Sequence, residues 1–70
     1  MKLPYVVFTV IINNLRQNPG IRLEELSQYT GIRAENLEVY LNTMVENGDV
    51  EMFTGIQNLY GAQYFEAQRK

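Results

Sequence analysis

The amino-acid sequence predicts a small, mainly helical α+β domain that ends in a β-hairpin. Apolar residues recur at helical spacing through three segments, and turns containing glycine or proline separate these segments. An alternating apolar and polar pattern follows the third segment. With 70 residues, of which 46% are hydrophobic, the chain has the size and composition of one folded domain over residues 1–70.

The first predicted helix runs from about residue 4 to residue 18. Pro4 suits the first turn, where a missing N–H is tolerated, and Pro19 ends the segment. The β-branched residues of this segment favour a strand, whereas its apolar residues recur at helical spacing and favour a helix. The apolar face consists of Phe8, Ile11, Ile12 and Leu15.

The second and third predicted helices are joined by a tight turn at Gly31. The second helix spans about residues 23–30 and the third spans about residues 34–47. Gly31 supplies the left-handed conformation that closes a helix, and Asn47-Gly48 ends the third one. Apolar residues of the third helix at i, i+3, i+4, i+7 and i+8 form an amphipathic stripe. They are Leu37, Tyr40, Leu41, Met44 and Val45.

A β-hairpin is predicted over about residues 50–66. Val50 and Met52 alternate with Glu51, so we expect the two apolar side chains to face inward. The return strand is expected from about residue 60 to residue 66, and residues 55–59 form the connecting loop. The expected inward residues of the return strand are Ala62 and Tyr64.

Composition removes most enzymatic possibilities. The chain has no cysteine and no histidine, so it has no thiolate metal site, no disulfide and no ordinary general base near neutral pH. Ser27 therefore lacks a triad partner, the eight acidic residues show no paired-acid spacing, and the five glycines form no phosphate loop. We expect no catalysis, no metal and no cofactor, and the lack of cysteine fits a cytoplasmic protein.

The apolar stretch Leu3–Ile12 is too short to span a bilayer, which takes roughly 20 apolar residues. Only Lys2 precedes it and no small-residue cleavage site follows, so it does not resemble a signal peptide. We interpret it as part of the fold and expect no membrane association.

Sequence fragments in a fixed order carry a resemblance to a known family. They are Leu23-Glu24-Glu25-Leu26, then Tyr29-Thr30-Gly31-Ile32, and then Leu37, Leu41 and Met44 followed by Gly48-Asp49-Val50. Over about residues 5–66 this set resembles the winged helix-turn-helix family. The resemblance implies a three-helix domain with a hairpin wing that binds double-stranded DNA and regulates transcription. In that family the third helix enters the major groove and the wing loop touches the backbone or the minor groove.

The resemblance also implies which residues would meet DNA. They are Ala34, Asn36, Val39, Asn42 and Thr43 on the third helix, and Gln57, Asn58 and Tyr60 in the wing loop. Asn36 and Asn42 belong to the residue type that reads adenine edges.

Three arginines are candidates to clamp phosphates. Arg22 and Arg33 each precede a helix, where arginine is a poor N-cap and lies unfavourably against the positive helix end. Two such exceptions close together suggest that these arginines bind phosphates, and Arg16 would contribute to the same contact. The alternative is that both are solvated residues, screened by acidic neighbours. These neighbours are Glu24, Glu25 and Glu35.

The charge balance favours a different reading of the same fold. Six basic residues face eight acidic ones, which gives a net charge of −2, whereas DNA-binding domains are usually basic. The wing loop contains no lysine or arginine. The alternative function is therefore a protein–protein interaction module, such as an accessory or recruiting factor. Its partner would meet Glu35 and Glu38 on the third helix and Ile56 and Leu59 in the wing, unless the wing residues fold back on the domain.

The start of the first helix carries apolar residues that do not fit on its inward face. They are Tyr5, Val6, Val7 and Val10. Either the hairpin and the tail cover them, or they form a face for self-association, because an exposed apolar strip is a liability in a soluble monomer. We expect a homodimer through this helix.

Overall fold

The computed structural model of the chain describes residues 2–55 and 61–68. It has three helices and a three-stranded antiparallel sheet, and so confirms the α+β class. The elements in chain order are α1 (Tyr5–Gln17), β1 (Ile21–Arg22), α2 (Leu23–Thr30), α3 (Ala34–Glu46), β2 (Val50–Phe53) and β3 (Gln63–Glu66).

Helix α1 forms despite its β-branched residues because its apolar face is needed in the core. Ile11, Ile12 and Leu15 are buried, as the helical spacing predicts, and Phe8 packs against them from the rim. The Pro4 carbonyl accepts a hydrogen bond from the Phe8 N–H at 3.0 Å, so Pro4 lies where its missing N–H costs nothing.

The turn between α2 and α3 follows the prediction at Gly31. Gly31 has φ of 75° and its N–H donates to the Ser27 carbonyl at 2.9 Å, which closes α2. The Ile32 N–H donates to the Thr30 hydroxyl oxygen at 3.2 Å, and the Ile32 side chain packs against the core. The turn therefore fixes the start of α3 relative to the end of α2.

Strand β3 is the middle strand of the sheet, which has the order β1-β3-β2. Ile21 of β1 pairs with Tyr64, and Met52 of β2 pairs with Tyr64 from the other side. Strand β1 was not predicted, because two residues are too short for an alternating pattern. Gly20, with φ of 83°, leads into it and donates its N–H to the Tyr64 carbonyl at 3.0 Å.

Two details of the predicted hairpin were wrong. Met52 was expected to face inward, but 45% of its surface is exposed, whereas Val50 on the same face of β2 is buried. Val50 directly follows the turn from α3 and belongs to the core cluster, whereas Met52 lies further along β2, an edge strand, and is outside that cluster. The return strand begins at Gln63 rather than near residue 60.

The core lies between the three helices and the inner face of the sheet. The residues that are fully buried come from all three helices: Ile11, Leu15, Leu26, Leu37, Leu41 and Met44. The interior shared by three helices and the sheet is confirmed by these residues. None of the described helices is long and apolar enough to cross a membrane.

Candidate binding surface

A cavity of about 680 Å³ opens between the start of α2, the middle of α3 and the start of β3. We call it the cleft. Its lining includes Leu23, Glu24 and Glu25 from the first turn of α2, Glu38 from α3 and Tyr64 from β3, together with Arg22, Gly61 and Ala62. Three separate parts of the chain therefore contribute to one depression that carries several carboxylates.

The acidic residues of α2 are placed by ordinary helix energetics. Glu24 and Glu25 lie in the first turn, where the positive end of the helix dipole favours negative charge. Arg22 is the N-cap residue, with an extended backbone and no side-chain capping bond, so the acidic first turn takes over part of that role. Both carboxylates are exposed at the rim of the cleft.

Tyr64 and Glu38 meet in the cleft. Only 5% of the surface of Tyr64 is exposed, so its ring belongs to the core while its remaining surface lines the cavity. Burial raises the pKa of the Tyr64 phenol above its usual value, and the negative charge of Glu38 raises that pKa further. The hydroxyl therefore stays protonated over the neutral range and remains available as a hydrogen-bond donor.

The outer face of α3 continues the acidic surface beyond the cleft. Glu35, one turn before Glu38, is exposed, and 47% of the Val39 surface is exposed beside them. The sequence contains no lysine or arginine from residue 34 to residue 68. The exposed face of α3 is therefore negative around a single apolar side chain.

The other residues predicted to meet DNA on α3 occupy different environments. Asn36 and Asn42 are exposed, whereas Ala34 and Thr43 are half-buried. The Thr43 hydroxyl donates to the Val39 carbonyl at 3.1 Å, so it is already engaged within the helix. Gln57, Asn58 and Tyr60 lie outside the described residues, as do Ile56 and Leu59 of the proposed protein contact.

Arg16 and Arg22, two of the arginines that could clamp phosphates, lie beside opposite ends of β3. Arg16 and Glu66 form a two-pronged ion pair, with Nη2 to Oε2 at 2.8 Å and Nε to Oε1 at 3.0 Å. The hydrogen bond from Arg16 lowers the pKa of Glu66. Arg22 of β1 is the strand partner of Gln63, which lies at the opposite end of β3 from Glu66. Arg16 and Arg22 are therefore separated by the length of that strand.

Arg33 also has an acidic partner. Its Nη2 lies 3.4 Å from Oε1 of Glu35, and both side chains are largely exposed. Such a surface pair adds little to stability. It does, however, place a carboxylate beside the one arginine that directly precedes α3.

The four predicted dimer residues of α1 are divided by the fold. Tyr5 is 78% exposed and Val6 is 70% exposed, so the hairpin and tail do not cover them. Val7 packs against the core and Val10 is half-buried. The exposed apolar surface of α1 is therefore confined to its first turn.

Sequence reasoning missed the cleft, because its parts are far apart in the chain. Tyr64 was assigned to the core and Glu38 to the outer face of the third helix, and nothing in their spacing indicates that they are neighbours. Pairing of β3 between β1 and β2 brings them together. The only signal in the sequence was a tyrosine at an inward strand position, since the hydroxyl of a buried tyrosine needs a hydrogen-bond partner.

Within residues 2–55 and 61–68, no group of three acidic side chains is arranged to hold a metal ion. The carboxylates of the cleft are therefore considered as a binding surface for other groups. No protein-family model, no curated protein and no solved structure matches the chain. The functional interpretation therefore depends on the geometry and charge of the surface itself.

Proposed function

We propose that this chain is a winged-helix module that binds a partner protein, as an accessory or recruiting factor. The docking face, which we define as Glu24, Glu25, Glu35, Glu38 and Val39, meets the partner. One observation carries the proposal: the four carboxylates of this face are exposed, Glu35 and the exposed Val39 lie one turn apart on α3, and α3 contributes no basic residue.

The order of the elements supports the winged-helix layout. Three helices precede a pair of antiparallel strands, in the order that the sequence resemblance implies. The turn at Gly31 and the amphipathic stripe of α3 lie where the resemblance puts them. Fold-level analogy of this kind bears on architecture, and the function must be argued from the surface.

The charge of the docking face opposes contact with DNA. Duplex DNA carries one negative charge per about 1.7 Å of its axis, and most of its affinity for proteins comes from lysine and arginine contacts. Here the helix that would enter the groove presents Glu35 and Glu38, and the charge of Arg33 is met by Glu35. Phosphates on either side of α3 would be repelled.

The same face has the composition of a protein interface. Such interfaces combine an apolar centre with a polar rim, and charged residues lie at the rim rather than at the centre. Val39 lies one turn after Glu35 and one turn before Asn42 on α3, and all three are exposed. A partner could bury Val39 and pair with the carboxylates of this face.

DNA binding is the second candidate function, and a specific observation favours it. Arg33 is largely exposed and its pair with Glu35 is weak enough to be exchanged for a phosphate. Asn36 and Asn42 are exposed on α3 and could read adenine edges. In this alternative the chain is a transcriptional regulator in the cytoplasm, and Arg22 and Arg33 contact the backbone.

Fluorescence anisotropy with a random duplex separates the two candidates. We expect no association at about 50 mM salt, where screening is weak. Association that falls steeply with salt, with a slope of about 0.9 per phosphate contacted, would overturn the proposal. In that case Arg33→Ala should reduce the slope by about one unit. A Glu35→Lys, Glu38→Lys variant serves as the positive control, since it should gain salt-sensitive binding.

The protein-binding arm uses peptides as probes. The isotope-labelled chain is titrated with basic, acidic and uncharged short peptides while its amide NMR signals are followed. We expect at least one of the three kinds of peptide to shift the amide signals of α3 around Val39. Shifts confined to surfaces away from α2 and α3 would contradict it.

The proposal includes a homodimer through the first turn of α1. Tyr5 and Val6 present the largest exposed fractions among the large apolar side chains of the described residues. No charged residue lies between Lys2 and Arg16, so the contact between two copies of this helix start would be mainly apolar. Hydrophobic burial would then drive association.

A further inference from the structure

We infer that the cleft between α2, α3 and β3 binds a cationic side chain, an arginine or lysine, of the partner protein. The inference rests on the proposed function and makes it more specific, because it names the chemistry of the partner.

The charge of the cleft favours a cation. Glu24, Glu25 and Glu38 line it, and Arg22 supplies the opposing charge, so the lining keeps two net negative charges. The carboxylates come from two helices, Glu24 and Glu25 from α2 and Glu38 from α3. A guanidinium or ammonium entering the cleft could therefore contact acceptors from both helices.

The lower part of the cleft is apolar and suits the rest of such a side chain. Leu23 and Ala62 are half-buried and pack against the core, and the Tyr64 ring lies beside them. Lysine and arginine place their aliphatic stems along apolar surface while the charged head seeks polar partners. A volume of about 680 Å³ lies within the roughly 300–1,000 Å³ range of clefts that enclose small ligands.

Tyr64 gives an independent indication of a ligand. It is 95% buried, it lines the cleft, and none of the described side-chain hydrogen bonds involves its hydroxyl. Buried tyrosines usually find a hydrogen-bond partner for the hydroxyl. The hydroxyl oxygen can accept a hydrogen bond from a guanidinium or ammonium, and it can donate to the backbone that carries it.

A substitution of Arg22 should change binding in opposite directions under the two candidate functions. Arg22 lines the same cleft, so its positive charge opposes an incoming cation, and Arg22→Gln should tighten binding of a basic peptide. If the same residue clamped phosphate instead, its loss would weaken binding of DNA. The two functions thus predict opposite consequences for one substitution.

The experiment uses the full chain and two short peptides that are identical except for one position. One peptide carries a single arginine among small uncharged residues, and its match carries citrulline there, which keeps the shape and removes the charge. Anisotropy at about 50 mM salt should show preference for the arginine peptide by about 5-fold or more. The amide signals of Ala62 and Tyr64 should shift with it.

Substitutions then locate the site. Glu38→Gln should weaken binding of the arginine peptide about 3- to 5-fold, and Tyr64→Phe should weaken it about 3-fold. Glu46→Gln, which removes an exposed carboxylate of α3 outside the cleft, should leave binding unchanged. Circular dichroism checks that each variant is folded.

Equal binding of the two peptides, no binding of either, or equal effects of Glu38→Gln and Glu46→Gln would overturn the inference. If uncharged or acidic peptides shift the α3 signals while the arginine peptide does not, this inference fails and the proposed function stands. If duplex DNA binds in a salt-sensitive manner, the proposed function itself fails.

Discussion

Helices α1 and α3 have the same length of 13 residues and each buries one apolar face, yet their exposed faces differ in chemistry. The first turn of α1 exposes Tyr5 and Val6 and contains no charged residue, whereas α3 exposes Glu35 and Glu38 as well as Val39. An uncharged apolar face can pack against its own copy, but an acidic face repels its copy and selects an opposite charge. The two helices therefore differ in the contacts that they favour: the proposed self-association suits the exposed surface of α1, and the proposed partner suits that of α3.

The largest effect is expected on the buried side of α3. Leu41 is fully buried, and Leu41→Ala should cost about 2–5 kcal/mol of unfolding free energy, because a cavity forms between the helices. Val39→Ala on the exposed side should change stability by no more than about 0.5 kcal/mol. Urea unfolding measures both. Similar losses for the two variants would mean that Val39 is covered, and the docking face would have to be redrawn.

The next effect concerns the exposed face of α1. Val6→Lys places a charge on each copy at the proposed contact, and the dimer should dissociate to monomers because two ammonium groups would have to be desolvated together. Light scattering over a range of protein concentrations measures the mass. Gln28→Lys adds the same charge to an exposed position of α2 and is the matched control. A monomeric native chain, or an unchanged mass for Val6→Lys, would remove the self-association face.

Ionic strength should distinguish the two faces in the native chain. Raising salt from about 50 mM to 500 mM shortens the Debye length several-fold, so binding of an arginine peptide to the docking face should weaken several-fold. Association through Tyr5 and Val6 is apolar and should persist. Anisotropy and light scattering on the same samples provide the two readouts. A dimer that dissociates with salt would show that charge, not apolar surface, holds it.

The smallest effect is expected from the one charge on α1. The hydrogen bond from Arg16 lowers the pKa of Glu66, so this pair stabilises the fold above the unfolded glutamate pKa of about 4.3. That contribution is lost as the pH falls through the lower pKa of the folded state. Glu66→Gln should therefore lose less stability than the native chain on acidification. Urea midpoints measured between neutral pH and pH 3 test this, with exposed Glu51→Gln as the control.

Much of the helical part of the fold could be predicted, because local signals specify it. The stripe through Leu37, Leu41 and Met44 requires one buried face, and Gly31 requires a turn. Helix α1 was harder, since propensity and periodicity disagreed there, and burial of Ile11 decided in favour of the helix.

The rest depended on contacts between distant parts of the chain. Strand β1 is defined by its pairing with β3, and the partner of Arg16 lies 50 residues further on. The exposure of Met52 follows from its distance from the core along the edge strand β2, which no local pattern reveals. The acidic face of α3 could be predicted from the sequence alone, but the cleft beside it could be found only once the pairing of the sheet was known.

The central place of β3 also has a consequence for how the sheet and the core depend on each other. Strands β1 and β2 do not pair with each other, so neither has a partner strand unless Gln63–Glu66 is in place. The same four residues supply Tyr64 to the interior. Detachment of this one segment would therefore break both strand pairings and open the core at once.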